Sequence, residues 1–170
     1  AAHRRPGRGH GSRIFSRRSE PCLHLRPHGR RSRLHIMDAD GSNVRIVPGG
    51  PGTEHRGPEW SPDGARLVLQ VTTESGEYVY VATPAGGWGR VKAGAFPAWA
   101  PNGDDVYLTR NDSVLVSRVS TGSLRLVLAD GFAARPSPDG RWLAFLRGEW
   151  PTSALYVLDL ETGLEWRLTR

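Results

Sequence analysis

The chain has 170 residues, 23 lysines and arginines against 17 acidic residues, and a hydrophobic content of 38%. This length corresponds to one domain or to part of a larger one. A single cysteine excludes an intramolecular disulfide scaffold and a cysteine-rich zinc module, and no apolar run approaches the roughly 18 residues that a membrane span requires.

The first 33 residues form a strongly basic segment. They contain ten arginines and one acidic residue, Glu20, whereas the rest of the chain carries more acidic than basic residues. We expect residues 1–33 to be a poorly ordered leader or a degenerate blade segment, because such charge blocks are usually solvated tails. A nucleic-acid partner is not favoured, since Phe15 is the one aromatic residue there that could stack on a base. No stretch near the N-terminus has the apolar core of a signal peptide.

Two short segments have spacings that metal sites also use. Cys22, His24 and His28 could supply three zinc ligands, but Pro27 interrupts them and no fourth ligand is evident. The 38–43 segment places oxygen ligands at alternate positions, as calcium loops do, but it lacks a later bidentate glutamate. An Asp-Gly pair between two strands is also typical of a hairpin turn. We therefore expect neither a metal nor a cofactor.

Residues 34–47 predict the third strand, turn and fourth strand of a structural unit whose beginning lies upstream. Residues 11–16 weakly resemble the start of its second strand, and residues 17–33 fit no strand pattern. We expect this unit to be partial or damaged.

A turn sequence then occurs three times at intervals of 39 and 37 residues. Its proline presets φ at the second position of a type I turn, and its glycine accepts a positive φ at the fourth. The second copy has alanine and asparagine in place of Ser61 and Asp63, and the third copy has lost the tryptophan. The repeated residues are Trp60, Pro62, Asp63, Gly64, Trp99, Pro101, Asn102, Gly103, Pro138, Asp139 and Gly140.

Short apolar runs follow each turn, rich in Val, Tyr, Trp and Leu, and none has helical spacing over three turns. Four strands per period of about 40 residues are typical of a β-propeller blade, whereas a β-sandwich has no reason to repeat one turn at a fixed interval. The sequence predicts an all-β propeller of four-stranded antiparallel blades. We expect a partial blade over about 34–52, three complete blades over about 53–92, 93–128 and 129–170, and an open arc that associates through its exposed blade edges.

The Trp60–Gly64 and Ser137–Gly140 turns, together with the Ile36–Asn43 segment, resemble the WD-like propeller repeat of TolB-type proteins, and the resemblance covers about residues 33–170. The resemblance implies a portion of a larger propeller, a periplasmic or extracellular location and a protein or peptide partner. The same repeats also occur in the propellers of prolyl oligopeptidase-like enzymes.

No catalytic constellation is evident. A serine hydrolase requires a nucleophile elbow and a histidine, yet no Gly-x-Ser-x-Gly occurs and His55 is the last histidine in the chain. We favour a non-catalytic binding or scaffold module. The alternative is the substrate-gating propeller of a prolyl oligopeptidase-like peptidase whose catalytic domain lies outside this chain.

The variable loops are the predicted binding surface. In an up-and-down blade the repeated turns lie on one face, and the connections that differ between blades lie on the other. These are residues 48–57, 73–77, 110–112 and 148–153. An aromatic residue beside a charge has the composition of an interface anchor. The predicted partner-binding residues are Arg56, Glu74, Arg110, Asp112, Glu149 and Trp150.

Tryptophans flank the repeated turns and could stack on a ligand. Their repeated position favours packing between blades for Trp60 and Trp99, with about 2–3 kcal/mol from each buried side chain. We expect the same packing role for Trp142 and Trp166.

Overall fold

The fold is described from a computed structural model that covers residues 22–25, 32–149 and 151–169. This part of the chain forms β strands and no helix. The strands are β1 (Cys22–Leu25), β2 (Arg33–Ile36), β3 (Arg45–Ile46), β4 (Glu54–Trp60), β5 (Leu67–Thr73), β6 (Gly76–Ala82), β7 (Trp88–Ala93), β8 (Ala95–Trp99), β9 (Asp105–Arg110), β10 (Ser113–Arg118), β11 (Leu124–Leu128), β12 (Phe132–Pro136), β13 (Trp142–Arg147), β14 (Ala154–Asp159) and β15 (Glu165–Arg167).

The strands form four antiparallel sheets, and within each sheet every strand pairs with the next one along the chain. Blade 1 is the three-stranded sheet β1–β3, and blades 2, 3 and 4 are the four-stranded sheets β4–β7, β8–β11 and β12–β15. This simple meander is the up-and-down topology of a propeller blade. The predicted all-β architecture, with three complete blades and one partial blade, is confirmed.

The blades pack face to face because apolar residues occupy both faces of their central strands. On β5, Leu67 and Leu69 pack against blade 1, whereas the intervening Val68 packs against blade 3. Alternation of side chains along a strand produces this division. Since blades 2 and 3 each contact two neighbouring sheets, the β-sandwich alternative is wrong.

Each junction between blades has its own core of buried apolar side chains, and burial of each large one contributes about 1.5–3 kcal/mol. The junction of blades 1 and 2 contains Leu34, Ile36, Val47, Leu67, Leu69, Val71 and Ala82. The junction of blades 2 and 3 contains Val68, Val79, Val81, Trp99, Val106, Leu108 and Leu115. The junction of blades 3 and 4 contains Ala98, Tyr107, Val114, Val116, Leu128, Ala134, Leu143, Phe145 and Leu158.

The other face of blade 4 remains partly open. Trp142 and Trp166 lie there with their ring centroids 5.8 Å apart. Trp166 is 44% exposed, and Leu164 and Leu168 are each 59% exposed. Within the described residues no further sheet covers this face, so the packing of these two tryptophans between blades stays a prediction. Association through such faces stays a prediction.

Blade 1 contains a strand that the sequence did not reveal. β1 pairs with β2 in register, Cys22 opposite Ile36 and Leu25 opposite Arg33. The expectation that residues 17–33 hold no strand is therefore wrong for residues 22–25. Flanking arginines and Pro27 hide the alternation there, and pairing with β2 overrides the weak local signal. Residues 11–16 lie outside the described residues.

The repeated turns are closed by side chains as well as by backbone. In the first copy, Ser61 Oγ donates to Asp63 Oδ1 at 2.5 Å and accepts the Arg66 N–H at 2.9 Å. Asp63 Oδ1 also accepts the Ala65 N–H at 3.0 Å. The hydrogen bond from Ser61 holds the pKa of Asp63 below its ordinary value. Ser137 and Asp139 repeat this arrangement in blade 4.

The second copy closes by a different route. Ala100 has no hydroxyl, and Asn102 Oδ1 accepts the N–H groups of both Asp104 and Asp105, at 3.0 and 2.9 Å. Glycine follows in all three copies with a positive φ, 71° at Gly64, 71° at Gly103 and 77° at Gly140. The asparagine thus replaces both side chains of the Ser-Pro-Asp-Gly copies.

Ser61→Ala is expected to lower the free energy of unfolding by about 1–2 kcal/mol, because the buried Ser61 side chain supplies the turn with an acceptor and a donor together. Urea unfolding followed by circular dichroism measures the change. Ala100→Ser is the matched control and is expected to change stability by less than about 0.5 kcal/mol, since Asn102 already serves that turn. Equal effects of the two substitutions would contradict this account.

Candidate binding face

The meander topology divides the connections between two faces of the arc, because each strand reverses the direction of the previous one. The turn face carries residues 61–66, 100–104 and 137–141 together with 83–87, 119–123 and 160–164. The loop face carries the connections 74–75, 111–112 and 148–153 and the links between blades at 47–53, 94 and 129–131.

The predicted partner-binding residues that are described lie at or near the loop face. Glu74 lies between β5 and β6, Arg110 and Asp112 lie at the hairpin between β9 and β10, and all three are exposed. Glu149 is exposed in the connection between β13 and β14. Trp150 lies outside the described residues. The structure thus distributes these charges over three blades.

Arg56 lies in a strand, although residues 48–57 were predicted to be a loop. β4 begins at Glu54, and Arg56 pairs with Gln70 of β5. The guanidinium contacts the carboxylates of Glu54 and, at 3.8 Å, Glu77, both in the same blade. Backbone pairing with β5 extends the strand through a polar stretch that has no apolar alternation of its own.

An open cleft of about 490 Å³ lies beside Glu74. It is lined by Gly52, Thr53, Thr73, Glu74 and Ser75. Its walls therefore present hydroxyl groups and one carboxylate, which suit polar groups of a partner. The cleft joins the link between blades 1 and 2 to the loop between β5 and β6.

The hairpin with Asp112 is a tight two-residue turn. Asn111 and Asp112 have φ of 50° and 53°, which is the left-handed pair that a type I′ hairpin needs and that Asn and Asp tolerate. The Asp112 carbonyl accepts the Gly131 N–H at 2.6 Å. This bond ties the loop of blade 3 to the link that leads into blade 4.

Sequence reasoning missed a feature that recurs in the first strand of each four-stranded blade. β4, β8 and β12 each contain a β-bulge, after Arg56, Ala95 and Phe132. The residue that follows has a positive φ in all three strands, 55° at Gly57, 51° at Phe96 and 52° at Ala133. Glycine adopts this conformation without strain, whereas phenylalanine is strained there by about 1–3 kcal/mol.

Neighbouring blades hold the bulges in place. The Phe96 N–H donates to Gln70 Oε1 of blade 2 at 3.2 Å, and the Ala133 N–H donates to Thr109 Oγ1 of blade 3 at 3.0 Å. Gln70 and Thr109 occupy equivalent positions, each opposite the residue before a bulge, and Leu146 occupies that position in blade 4. Gln70 and Thr109 each offer a side-chain oxygen to the bulge of the next blade, whereas the Leu146 side chain has no hydrogen-bond acceptor.

The strained Phe96 presents an aromatic surface to solvent. Its side chain is 46% exposed, and its ring centroid lies 6.2 Å from that of Phe132 on the adjacent first strand. Both residues lie at the loop-face ends of their strands. Arg135 fixes the backbone below them by donating to the Pro97 carbonyl at 3.0 Å. An alignment of the three repeats could have pointed to Phe96 from the sequence, because it occupies the position where the other copies have the small residues Gly57 and Ala133.

A half-buried carboxylate, that of Glu59, lies farther along β4. Glu59 Oε1 accepts the Trp99 N–H at 3.3 Å across the junction of blades 2 and 3. Burial raises the pKa of Glu59 above its ordinary value, and the positive charge of Arg135 acts in the opposite direction. Glu59 therefore links the blades and is not exposed at the binding face.

Among the described residues no group of three or more His, Cys, Asp and Glu side chains is placed to hold a metal ion. In the 38–43 turn, the Asp38 carboxylate accepts a hydrogen bond from Asn43 at 2.5 Å, and Asp40 accepts one from Ser42 at 2.6 Å. His28 of the candidate zinc set lies outside the described residues. No helix of the described chain is long and apolar enough to cross a membrane.

Comparison with known proteins shows which proteins this chain resembles. No family model matches the chain. The curated TolB homolog of Chlorobium luteolum is 32% identical over 123 residues, which span 62% of this chain and 27% of that protein. The chain thus corresponds to about a quarter of the length of this relative.

Solved structures agree with the fold. TolB from Acinetobacter baumannii superposes with a TM-score of 0.73 at 15% identity, over 89% of this chain and 41% of its own length. A chain from a structural study of two prolyl endopeptidases superposes with a TM-score of 0.66 at 13% identity, over 94% of this chain and 29% of its own length. At these identities the superpositions establish the fold alone, which is that of a portion of a larger β-propeller.

The sequence match to the Chlorobium protein and the superposition on TolB together show that this propeller region is TolB-like, which confirms the resemblance predicted from its repeated turns.

Proposed function

We propose that this TolB-like propeller region is a non-catalytic binding module that presents its loop face to a protein or peptide partner. The similarity to TolB supports a periplasmic location and a protein as partner. The exposed charges of blades 2, 3 and 4 lie on that face, beside the open cleft at Glu74. In this proposal they form a polar rim.

The exposed, strained Phe96 is the observation on which the proposal rests. A bulge at this position needs no aromatic side chain, because glycine and alanine serve it in blades 2 and 4. Strained residues persist where a function uses them, and exposed aromatic side chains are favoured anchors of interfaces. The Phe96–Phe132 pair is therefore the proposed apolar centre of the binding face.

A non-catalytic role also agrees with the state of His55. This residue is 1% exposed, and both of its ring nitrogens contact backbone groups, Leu34 N at 3.0 Å and Pro51 O at 2.7 Å. A general base needs a nitrogen that can reach a nucleophile. The His55 side chain is committed to the fold instead.

Phe96→Gly is expected to abolish binding of a tryptophan-containing probe peptide, while it changes the free energy of unfolding by less than about 1 kcal/mol. The relief of backbone strain offsets the loss of packing against Phe132. The probe is the capped peptide acetyl-Gly-Trp-Gly-amide, and saturation-transfer NMR measures its binding. We expect the wild-type chain to bind it at millimolar concentration, because the peptide offers one aromatic side chain and none of the other contacts of a protein partner.

Ala133→Gly is the matched control, since it makes the same change at the equivalent bulge of blade 4. It is expected to retain binding of the peptide. Undiminished binding by Phe96→Gly would refute the proposed anchor. A loss of several kcal/mol in its stability would assign Phe96 to the core.

A further inference from the structure

His55 joins blade 1 to blade 2 at the loop-face end of β4. Its ring lies beside the indole of Trp88, with centroids 5.1 Å apart. A Cβ atom at Gly50 would lie 2.4 Å from His55 Cε1, so the glycine backbone packs directly on the ring. The imidazole is thus enclosed and has no room to turn toward solvent.

Hydrogen bonds fix the tautomer of the ring. The backbone N–H of Leu34, on β2, donates to Nδ1 at 3.0 Å, so that Nδ1 carries no proton. Nε2 lies 2.7 Å from the Pro51 carbonyl and donates to it. The neutral ring therefore bridges blade 1 to the link between the blades. A proton on Nδ1 would face the Leu34 N–H and break this bridge.

The charges around His55 also oppose a second proton. From blade 1, Arg33 donates to the Gly52 carbonyl at 2.8 Å, and its positive charge disfavours the imidazolium. His35 is the other titratable group on β2, and it alternates with Leu34, on the opposite face of that strand. On β4 the neighbours Glu54 and Arg56 pair with each other. Trp88 of β7 and residues 47–53 are uncharged. The strand β1 also packs against β4, and its titratable residues are Cys22 and His24.

We propose that His55 is a proton-operated latch, which holds blade 1 against blade 2 at neutral pH and releases it in acid. The released part is the face of blade 1 around Leu34, on the central strand β2, together with the bridge that runs from Leu34 through His55 to Pro51. The Ser32 hydroxyl, which accepts the His55 backbone N–H at 2.9 Å, belongs to the same contact and opens with it.

The direction of the pH effect follows from proton linkage. Burial, the largest cause, lowers the pKa of His55 below the ordinary value of about 6.5. The open state therefore binds more protons than the closed state, so the closed state loses stability as the pH falls below about 6.5. Between pH 7.5 and 5.0 the closing equilibrium is expected to weaken, by at most about 30-fold for a ring whose open state titrates near 6.5.

Hydrogen exchange measured by NMR on the whole chain tests the latch. The protection factor of the Leu34 amide is expected to fall between pH 7.5 and 5.0, by at most about 30-fold after correction for the intrinsic exchange rate. Amides of β9 and β10 in blade 3 are expected to keep theirs. Equal loss in blades 1 and 3 would show global acid unfolding and overturn the proposal, as would an unchanged Leu34 protection factor.

His55→Asn supplies a matched variant that does not titrate. Its Oδ1 can accept the Leu34 N–H where Nδ1 does, and the pH dependence of Leu34 protection is expected to disappear. His35→Asn is the control and is expected to keep the wild-type pH dependence. If His55→Asn keeps it too, the latch is refuted. If that variant does not fold, the NMR titration of the wild-type ring decides: a pKa of 6.5 or above refutes the latch, and a lower pKa with a proton on Nε2 supports it.

Discussion

Trp99→Ala is expected to lower the free energy of unfolding by about 3–5 kcal/mol, which is the usual loss for a large aromatic side chain in a core. Trp99 is 4% exposed and packs in the junction of blades 2 and 3. Its indole N–H donates to the Glu59 carbonyl at 3.3 Å, and the Arg66 guanidinium lies 5.1 Å from its ring centroid. The substitution therefore removes apolar packing, a hydrogen bond and a cation–π interaction together.

Urea unfolding followed by far-ultraviolet circular dichroism measures this loss without relying on tryptophan fluorescence. Trp166→Ala is the matched control, because Trp166 lies on the open face of blade 4 and is 44% exposed. We expect it to cost about 1 kcal/mol or less. Similar losses for the two tryptophans would show that the junction of blades 2 and 3 contributes little to the cohesion of the arc.

Gly52→Ala is expected to destabilise the chain by about 3–4 kcal/mol, because overpacking and backbone strain act at one position. Gly52 has a φ of 69°, and a Cβ atom there would lie 2.3 Å from the Thr72 carbonyl oxygen and 2.7 Å from Val71 Cγ1. The Thr72 carbonyl cannot move away freely, since it accepts the Thr53 N–H at 2.8 Å.

Thermal unfolding of Gly52→Ala beside Gly57→Ala separates steric clash from strain. Gly57 has a φ of 55°, a Cβ atom there would have no neighbour within 4 Å, and the equivalent residue in blade 4 is already alanine, Ala133. We expect Gly57→Ala to cost about 1 kcal/mol. If Gly52→Ala cost no more than this, the link between blades 1 and 2 would be loose enough to adapt.

The blade architecture was predictable because it depends on local signals that repeat. Proline and glycine in the Ser-Pro-Asp-Gly turns set the backbone directly, and alternation on strands such as β5 sets the buried faces. The strand Cys22–Leu25 escaped prediction because its partner, β2, supplies the order that its own arginine-rich surroundings lack.

The candidate site was less predictable because it depends on contacts between blades. The charged loop residues could be assigned to one face from topology alone. The left-handed conformation of Phe96, in contrast, is held by Gln70 and Arg135 from two other blades, and local sequence does not encode such long-range contacts. His55 likewise gave no signal as a lone histidine, since its partners are backbone groups of Leu34 and Pro51.

Leu146 restricts what can stack on the outer face of blade 4. In blades 2 and 3 the equivalent side chains, Gln70 and Thr109, accept the bulge amide of the following sheet. A methyl-terminated side chain offers no acceptor, and a buried N–H left without one costs about 1–3 kcal/mol. A sheet that stacks there must therefore be unbulged, bring its own acceptor or leave room for a water molecule.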